Sequence, residues 1–247
     1  MLSAFEVRRE HAGWSRGTEG FFKGFCAKTR SDFESLAKHF SCPDATVLIC
    51  EEQKPTRILF LLEGEVNITM NASDGRRFLL EVAAAGDTLG INSAISGDSS
   101  EIRAEARFPC RIASLQRQEF VEFLARHPIA GQNVALELCQ HYSRACERLR
   151  VFGLTSSAMG KLAHLLLEWC REGQQTTSGI EIRFALTHGE IGEYIGACRE
   201  TVSRSLADFK DHGLVRLRGS ILIVTSRREL ANYAGIDYIP DRDEPAA

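Results

Sequence analysis

The chain has 247 residues, of which 44% are hydrophobic and 26% are charged. This balance is typical of a folded protein, because disordered chains are poorer in apolar residues and carry more net charge. The length suits one large domain or two ordinary ones, and we expect two. A net charge of −3 argues against a basic nucleic-acid coat and a polybasic membrane binder, since both need a large field of one sign. It leaves room for a small DNA-reading surface.

The N-terminal segment and the cysteines indicate the compartment. Residues 1–14 lack the apolar core of a secretion signal, and no stretch reaches the ~18 apolar residues that a membrane span needs. We therefore expect a cytoplasmic protein with no membrane partner. The eight cysteines show neither CxxC pairs nor regular spacing, so free thiols are expected rather than a disulfide framework.

Short β-prone runs separated by turn residues fill the first half of the chain. Asp74-Gly75 lies between two of these runs and indicates a hairpin, because a tight turn of this type needs positive φ. The even spacing of the runs predicts a small antiparallel barrel or jelly roll. The candidate strands are residues 45–50, 57–62, 65–70, 77–82 and 101–108.

A helical pattern follows, from Glu119 to about Phe152. Apolar residues recur at alternating steps of three and four, which predicts a helix that packs on a partner helix. The small residues Gly131, Ala135 and Ala145 would allow close approach at a twofold contact. The alternative is that this seam is buried against the barrel of the same chain. The seam residues are Ala135, Leu138, Tyr142, Ala145, Leu149 and Phe152.

The segment after Gly153 is predicted to be mainly helical as far as Gly213, with a loop at 173–179. Thr187 with Glu190 three residues later forms a capping box that starts a helix, and Gly196 ends that helix. A second helix starts near Cys198. Two short helices joined by a glycine-containing turn predict a helix-turn-helix, whose second helix presents its N-terminal residues to the major groove.

The polar face of this second helix carries residue types that read base edges. Arginine can bond bidentately to guanine, glutamate can accept from cytosine N4, and serine can bond a base or a phosphate. The alternative is an ordinary solvated face with an ion pair between Glu200 and Arg204. The candidate base-reading residues are Arg199, Glu200, Ser203 and Arg204.

A β-hairpin is predicted after the helix-turn-helix, with strands at 214–217 and 221–224 around a turn at 218–220. Such a hairpin would form a wing in which Arg216 and Arg218 reach phosphates. Residues 186–224 hold five bases and five acids. DNA recognition would therefore depend on where the charged residues lie and not on an excess of positive charge in this region.

Two stretches resemble the cAMP receptor protein and fumarate-nitrate regulator (Crp/Fnr) family. LTHGEIGEYIGACRETVSRSLADFKDHGLVRLRGSILIV, residues 186–224, resembles its winged helix, and LFLLEGEVNITMNASDGRRFLLEVAAAGDTLG, residues 59–90, resembles its cyclic-nucleotide-binding-type roll. The resemblance covers about residues 20–235 and implies an α+β fold. Its parts are an antiparallel β-roll or jelly roll at 20–125, a long dimerisation helix at 126–153, a winged helix-turn-helix domain at 154–235 and a flexible tail at 236–247.

The resemblance also implies a function. The protein would be a cytoplasmic, homodimeric transcription regulator that binds double-stranded DNA, contacts RNA polymerase and responds to an effector on the roll. Arg199, Glu200 and Arg204 match readers of a TGTGA-like half-site, whereas Ser203 matches the Fnr-like branch and TTGAT-like half-sites, and both stay open. Thr187, Thr201, Arg216 and Arg218 would anchor phosphates.

The effector is not identified by the residues at the matching positions. Cyclic-nucleotide members place a glutamate after the glycine that matches Gly90 and an Arg-Ser pair about ten residues on. Here Ile91 and the run Asp98-Ser99-Ser100-Glu101 stand there, and Asp98 and Glu101 would repel a phosphate. Arg103 is nearby but out of register. We therefore do not expect cAMP or cGMP binding.

Three redox alternatives are also open. Cys26 and Cys110 lie near two positions of the Fnr-type iron–sulfur ligand set, but the remaining ligands would have to be Cys42 and Cys50 at an unfamiliar spacing. Haem could use His127, His141 or an N-terminal group, although a lone histidine is usually structural. Cys198, beside Arg199 at a helix start, is a candidate reactive thiol; the alternative is a small residue tolerated next to a phosphate.

Two rival functions compete with this interpretation. The first is a ligand-gated interaction module whose C-terminal helices contact protein instead of DNA. The second is an enzyme, but the sequence holds no glycine-rich phosphate loop, nucleophile elbow or HExxH motif, and its cysteines and histidines lack metal-site spacing. We expect no catalytic role and no metal ion.

Overall fold

The computed structural model describes residues 20–72, 75–155, 157–171, 173–184 and 186–236. Over these described residues the chain forms two compact units, one ending at Cys146 and the other beginning at Glu147. Asp74 of the predicted hairpin turn, residues 1–14 and the predicted tail from residue 237 onward lie outside the described residues.

The first unit contains two four-stranded antiparallel sheets, ordered β1-β8-β3-β6 and β2-β7-β4-β5. This arrangement confirms the predicted antiparallel β-roll. The helices and strands are a 3-10 turn at Gly20–Phe22, α1 Ala27–Leu36, β1 Lys38–Cys42, β2 Val47–Ile49, β3 Arg57–Glu63, β4 Glu65–Asn71, β5 Arg77–Ala84, β6 Thr88–Leu89, α2 Ile91–Ser96, β7 Arg103–Ala106, β8 Cys110–Gln116, α3 Arg117–Arg126 and α4 Pro128–Leu154.

The roll has two apolar cores. One is an aromatic cluster, in which the Phe60 ring lies 4.7 Å from Phe21, 5.0 Å from Phe33 and 5.9 Å from Phe120, measured between ring centroids. Aromatic pairs at these separations contribute beyond their buried area. The other core lies between the two sheets and includes Leu61, Val66, Ala104 and Ile112. Each sheet therefore has one face removed from water.

The sequence-based reading of the roll missed strands β1, β6 and β8. β8 pairs with both β1 and β3. Four consecutive residues of this seven-residue strand are buried, so it lacks the alternation that marks a half-exposed strand. β1 is a polar strand at the edge of its sheet, and β6 has two residues. Their positions follow from pairing partners that are distant in sequence.

The helical pattern that runs from Glu119 to about Phe152 is divided between two helices, and the long helix expected at 126–153 is present as α4. α3 begins with a capping box between Gln116 and Glu119 and ends before His127. α4 then starts at Pro128. Proline suits a first helical position because its fixed φ is helical and its missing N–H has no partner there anyway.

The second unit packs four helices with a four-stranded sheet ordered β11-β12-β10-β9. The prediction of mainly helical structure up to Gly213 is wrong at residues 173–184, where a β-hairpin replaces the expected loop. Its strand β10 pairs along β12, which a local sequence pattern does not reveal. The elements are α5 Ala158–Cys170, β9 Gln174–Thr176, β10 Gly179–Arg183, α6 His188–Ile195, α7 Arg199–Asp211, β11 Val215–Arg218, β12 Ile221–Val224 and α8 Arg227–Ala234.

The core of the second unit joins these helices to one another. Leu162 and Leu166 of α5 are fully buried, as are Ile191 of α6, Phe209 of α7 and Leu230 of α8. The α8 helix was not predicted from the sequence. Over the residues described here, every helix is either too short or too polar to span a lipid bilayer.

Candidate nucleic-acid interface

Helix α6 starts at the predicted capping box. The Glu190 amide donates to Thr187 Oγ1 at 3.2 Å, and the Thr187 amide donates to the Glu190 carboxylate at 2.7 Å. These bonds satisfy two backbone donors that a helix start otherwise leaves open. The predicted apolar residues Ile191, Tyr194 and Ile195 are buried. The capping box is therefore confirmed, and the exposed Thr187 hydroxyl serves it.

A glycine pair shapes the turn between the two helices. Gly196 ends α6 with φ of 69°, a left-handed conformation that glycine adopts without steric cost. The Ala197 amide donates to Gly192 O at 2.9 Å, and a Cβ on Gly192 would lie 2.5 Å from the Ala197 carbonyl oxygen. Gly192 therefore lets the turn close tightly against α6, and α7 begins two residues after Ala197.

Helix α7 has one buried face and one exposed face. Val202, Leu206 and Phe209 are buried, as the sequence predicts. Arg199, Glu200 and Arg204 are exposed within the first two turns. This arrangement fixes the helix through its apolar side and leaves two guanidinium groups and a carboxylate accessible.

Hydrogen bonds organise the first turn of α7. Thr201 Oγ1 lies 3.0 Å from the Cys198 thiol and accepts from Arg204 at 3.4 Å. The Glu200 backbone amide and the Cys198 thiol lower the pKa of the Glu200 carboxyl, with smaller contributions from Arg199 and Arg204. Glu200 is therefore an ionised acceptor at neutral pH, as hydrogen bonding to cytosine requires.

Ser203 differs from the other predicted base-reading residues because a second helix holds it. Its hydroxyl lies 2.8 Å from His188 Nδ1, at the start of α6. Both residues are half-buried. The sequence-based reading missed His188, since a contact between residues fifteen positions apart on two helices has no local signature. This pair ties α7 to α6.

The predicted wing is present as strands β11 and β12. Arg218 pairs with Ile221, so the connecting turn consists of Gly219 and Ser220 alone, with φ of 60° at Gly219. The turn is one residue shorter than predicted. Arg216 and Arg218 are exposed. The second unit therefore presents the exposed α7 face and a basic wing.

Comparisons with known protein families match both the roll and the helix-turn-helix. A model of the cyclic nucleotide-binding domain matches residues 40–127, and a model of the Crp-like helix-turn-helix domain matches residues 160–233. The chain belongs to the Crp/Fnr family. It is a transcription regulator with a helix-turn-helix DNA-binding domain.

Relatives in this family cover most of the chain. A "CRP-like cAMP-activated global transcriptional regulator" of Mycobacterium tuberculosis is 26% identical over 216 residues, which span 87% of this chain and 96% of that protein. The structure of FixK2 from Bradyrhizobium japonicum matches with a TM-score of 0.66 at 22% identity, covering 83% of this chain and 99% of that one. A CooA mutant from Carboxydothermus hydrogenoformans matches with a TM-score of 0.72 at 18% identity, covering 86% and 92%. These similarities confirm the predicted fold class.

In this chain, the roll positions that match the effector-binding residues of cyclic-nucleotide members make contacts within the roll. Gly90 adopts φ of 77° and is followed by Ile91, which is 2% exposed and belongs to the aromatic core. The Arg103 guanidinium donates to Glu105 from Nε at 3.1 Å and from Nη2 at 2.9 Å. Ser100 bonds the Ile102 backbone. Arg103 is thus already neutralised by a carboxylate on its own strand.

Polar side chains of α4 contact strands of the roll. Glu137 Oε1 accepts from the Thr88 amide at 3.1 Å and from the Thr88 hydroxyl at 2.6 Å. Arg144 donates to Glu81 at 2.9 Å. His141 Nε2 lies 3.8 Å from Glu81 and 4.0 Å from Glu137. The predicted haem candidate His141 therefore lies between two carboxylates.

The other predicted redox residues have partners within the roll. Cys26 precedes α1, and a hydrogen bond with Thr29 lowers the pKa of its thiol. Cys110 is paired in register with Cys42, and burial together with Cys42 raises the pKa of its thiol to about 11. His127 lies 3.5 Å from Thr29 Oγ1 and 3.2 Å from Asp32. Within the described ranges, no group of three or more His, Cys, Asp or Glu side chains could hold a metal ion.

The predicted dimer seam on α4 is only partly exposed. Tyr142 and Leu149 are 73% and 72% exposed, and Ala135 and Ala145 are also exposed. Leu138 instead packs against the aromatic core of the roll. Phe152 lies 4.6 Å from the Lys161 ammonium, measured from the ring centroid. Leu138 and Phe152 therefore do not belong to the exposed stripe, because each has a partner within its own unit.

Residues near the end of α4 also contact the first helix of the helix-turn-helix. The Arg148 guanidinium lies 3.9 Å from the centroid of the Tyr194 ring and donates to the Tyr194 carbonyl at 3.2 Å. A cation over an aromatic face is attracted by the ring quadrupole. Arg148 thus holds α6 through both its ring and its backbone.

Proposed function

We propose that this protein binds a pseudopalindromic DNA site as a homodimer, with the α7 helix of each protomer in the major groove of one half-site. One observation carries the proposal: Arg199, Glu200 and Arg204 are exposed on the first two turns of α7, while the opposite face is buried. A recognition helix reads bases with its N-terminal residues while its other side is held by the domain. The α7 geometry fits that task.

The chemistry of the three side chains defines what they read. Arg199 and Arg204 each offer a guanidinium fork for guanine O6 and N7, and Glu200 offers an ionised carboxylate for cytosine N4. These three residues support a TGTGA-like half-site. Ser203 supports a TTGAT-like half-site, although His188 engages its hydroxyl in this structure. Binding to both half-sites is therefore part of the test.

Four residues around the reading helix are proposed to contact phosphates. Thr187 lies at the N-terminus of α6 and Thr201 in the first turn of α7. Arg216 and Arg218 are exposed on the wing. Phosphate contacts fix the register of a protein on the duplex but carry no base information. We expect loss of these phosphate contacts to weaken binding to all DNA sequences alike.

The proposed dimer uses the exposed side of α4. Tyr142 and Leu149 expose large apolar surface there, and Crp-family regulators are dimers. A twofold protein reads two half-sites whose centres lie about 10–10.5 bp apart. We therefore propose that a second copy of the chain covers the exposed apolar side of α4.

The proposed signal acts on the roll and is not a cyclic nucleotide. Although the Mycobacterium tuberculosis relative is named as cAMP-activated, Arg103 here is paired with Glu105 and Ile91 is part of the core. A buried apolar side chain cannot hold a ribose hydroxyl, and a neutralised arginine is a weak phosphate ligand. The RNA polymerase contact is an expectation from the family resemblance.

The test is fluorescence anisotropy at one fixed salt concentration, because protein–DNA affinity depends steeply on salt. Duplexes carry two TGTGA or two TTGAT half-sites, and a scrambled duplex reports non-specific binding. Arg204→Ala is expected to weaken binding to the preferred duplex by about 5- to 150-fold, the effect of losing one bidentate base contact.

Arg228→Ala is the matched control, because Arg228 is an exposed arginine of the same unit that belongs to α8 and not to α7. Its specific affinity should match that of the unaltered protein. If Arg199→Ala, Glu200→Ala and Arg204→Ala all bind the preferred duplex normally, α7 does not read bases and the proposed function is wrong.

A further inference from the structure

Two cysteines lie on the exposed side of α4 and take no part in the sites described above. Cys139 and Cys146 are both exposed. They are seven residues apart, which places them on the same side of the helix about 10.5 Å apart along its axis. Of the eight cysteines, Cys42, Cys110 and Cys170 are buried.

The two cysteines complete a regular pattern with exposed neighbours. Ala135, Cys139, Tyr142, Cys146 and Leu149 follow one another in steps of four, three, four and three, and all five are exposed. This is the spacing of the core positions of a two-stranded coiled coil. The spacing predicted from sequence ran through Leu138 and Ala145 and so missed both cysteines. Because Leu138 packs into the roll core, the exposed seam passes through Cys139.

The geometry of such a seam brings equal positions together. In a parallel twofold dimer, a core residue of one helix faces the same residue of the other. Helix axes in contact are about 8–10 Å apart and Cα atoms lie about 2.3 Å from the axis. Facing Cα atoms are then roughly 3.4–5.4 Å apart, which overlaps the range of about 4.4–6.8 Å that a disulfide needs.

We infer that Cys139 and Cys146 are sites of reversible oxidation that link the protomers, each forming a disulfide with the same cysteine of the partner subunit. This inference rests on the proposed dimer. The oxidant is hydrogen peroxide: one thiol loses its proton, the thiolate attacks the peroxide to give a sulfenic acid and hydroxide, and the hydroxide takes up that proton to become water. The facing thiol then displaces the sulfenic oxygen as a second water and forms the S–S bond. Two thiols and one hydrogen peroxide thus give one disulfide and two waters.

A tyrosine lies one helical turn before one of these cysteines. Interaction with Cys146 raises the pKa of the Tyr142 hydroxyl. Oxidation would fix the spacing of the two α4 helices at the seam.

The experiment begins with the full chain, purified and kept reduced. Native mass measurement gives its oligomeric state before any oxidation. Hydrogen peroxide is then added at a low molar excess, and the products are separated on non-reducing gels and mapped by mass spectrometry. We expect a covalent dimer that dithiothreitol reverses, with Cys139–Cys139 and Cys146–Cys146 peptides.

Variants assign the bonds. Cys139→Ser and Cys146→Ser should each still form the covalent dimer through the remaining cysteine, and the double variant should lose it. The control variant with Cys26→Ser and Cys198→Ser removes the two other exposed thiols and should crosslink like the unaltered chain. Circular dichroism of each variant verifies that it folds.

Three results would overturn the inference in distinguishable ways. A reduced dimer that does not crosslink contradicts oxidation at the seam but leaves the proposed dimer in place. Peptides that join Cys139 to Cys146 contradict the parallel register. A reduced protein that is monomeric contradicts the proposed dimer, and the oxidation site with it.

Discussion

Ser203 illustrates how one hydroxyl can have either a reading role or a structural role. Its bond to His188 joins the two helices of the helix-turn-helix, whereas the family resemblance places it against a base. The two roles predict different consequences of removing the hydroxyl. A structural role changes stability, and a reading role changes the preference between half-sites.

Ser203→Ala should lower the free energy of unfolding by about 0.5–1.5 kcal/mol, the usual net contribution of one intramolecular hydrogen bond. Urea unfolding followed by circular dichroism measures this loss. The same variant should leave the ratio of affinities for TGTGA and TTGAT duplexes unchanged if His188 is the partner of the hydroxyl in the complex. A shift of that ratio by tenfold or more would show that Ser203 reads a base.

At the level of single residues, the sequence predicts exposure better than contacts. Arg199, Glu200 and Arg204 are exposed where the helical pattern places them, since the period of a helix is a local property. His188 could not be found in this way, because it bonds across two helices. Glu105 could have been found, because it lies two residues after Arg103 on the predicted strand 101–108 and so shares a face with it.

Among the secondary-structure elements, the contact between β6 and α4 depends on one buried carboxylate. Glu137 accepts both polar hydrogens of Thr88, and both residues are buried. A two-residue strand has few backbone hydrogen bonds of its own, so this side-chain contact fixes where it meets the helix.

Glu137→Ala should destabilise the protein by about 1–3 kcal/mol, because it leaves buried donors without this acceptor. Glu137→Gln keeps a carbonyl oxygen in the same place and should lose less. Chemical unfolding of both variants beside the exposed control Glu101→Ala measures the difference. Equal stability of Glu137→Ala and the control would show that water replaces the carboxylate without cost.

The elements that sequence analysis missed are those whose structure depends on partners. β10 is a strand because it pairs with β12, forty residues further on, and β8 is buried between two neighbours. The elements with strong local signals, such as the capping box of α6 and the apolar face of α7, were predicted correctly. The break between α3 and α4 was marked by Pro128, a signal that the sequence did contain.

At the scale of the whole molecule, the exposed side of α4 bears on the oligomeric state. Leu149 of α4 is 72% exposed, and burying a leucine side chain contributes about 1.5–3 kcal/mol. A charge at this position would meet the same charge of the partner subunit across a twofold seam. Oligomeric state is therefore sensitive to this side chain.

Leu149→Glu should convert the reduced dimer to a monomer and weaken dimerisation at least about tenfold, since the lost burial alone exceeds the 1.4 kcal/mol of one decade. Light scattering coupled to size exclusion measures the mass as a function of concentration. Val121→Glu is the control, because Val121 is an exposed apolar residue on α3. A Leu149→Glu protein that stays dimeric would place the interface elsewhere.

The order of the domains could be predicted from the sequence, because short strands and helices each have their own local hydrophobic periodicity. The position of the domain boundary could not be predicted. The structure divides the chain between Cys146 and Glu147, inside the long helix, whereas the sequence placed a separate helical segment at 126–153. A helix that is continuous in hydrogen bonding shows no break in its sequence pattern.

The stacking of Arg148 on Tyr194 has a mechanical consequence. Because Arg148 contacts both the ring and the carbonyl of Tyr194, the last turns of the long helix are fastened to α6. The end of the long helix is therefore part of the DNA-binding unit, which begins at Glu147.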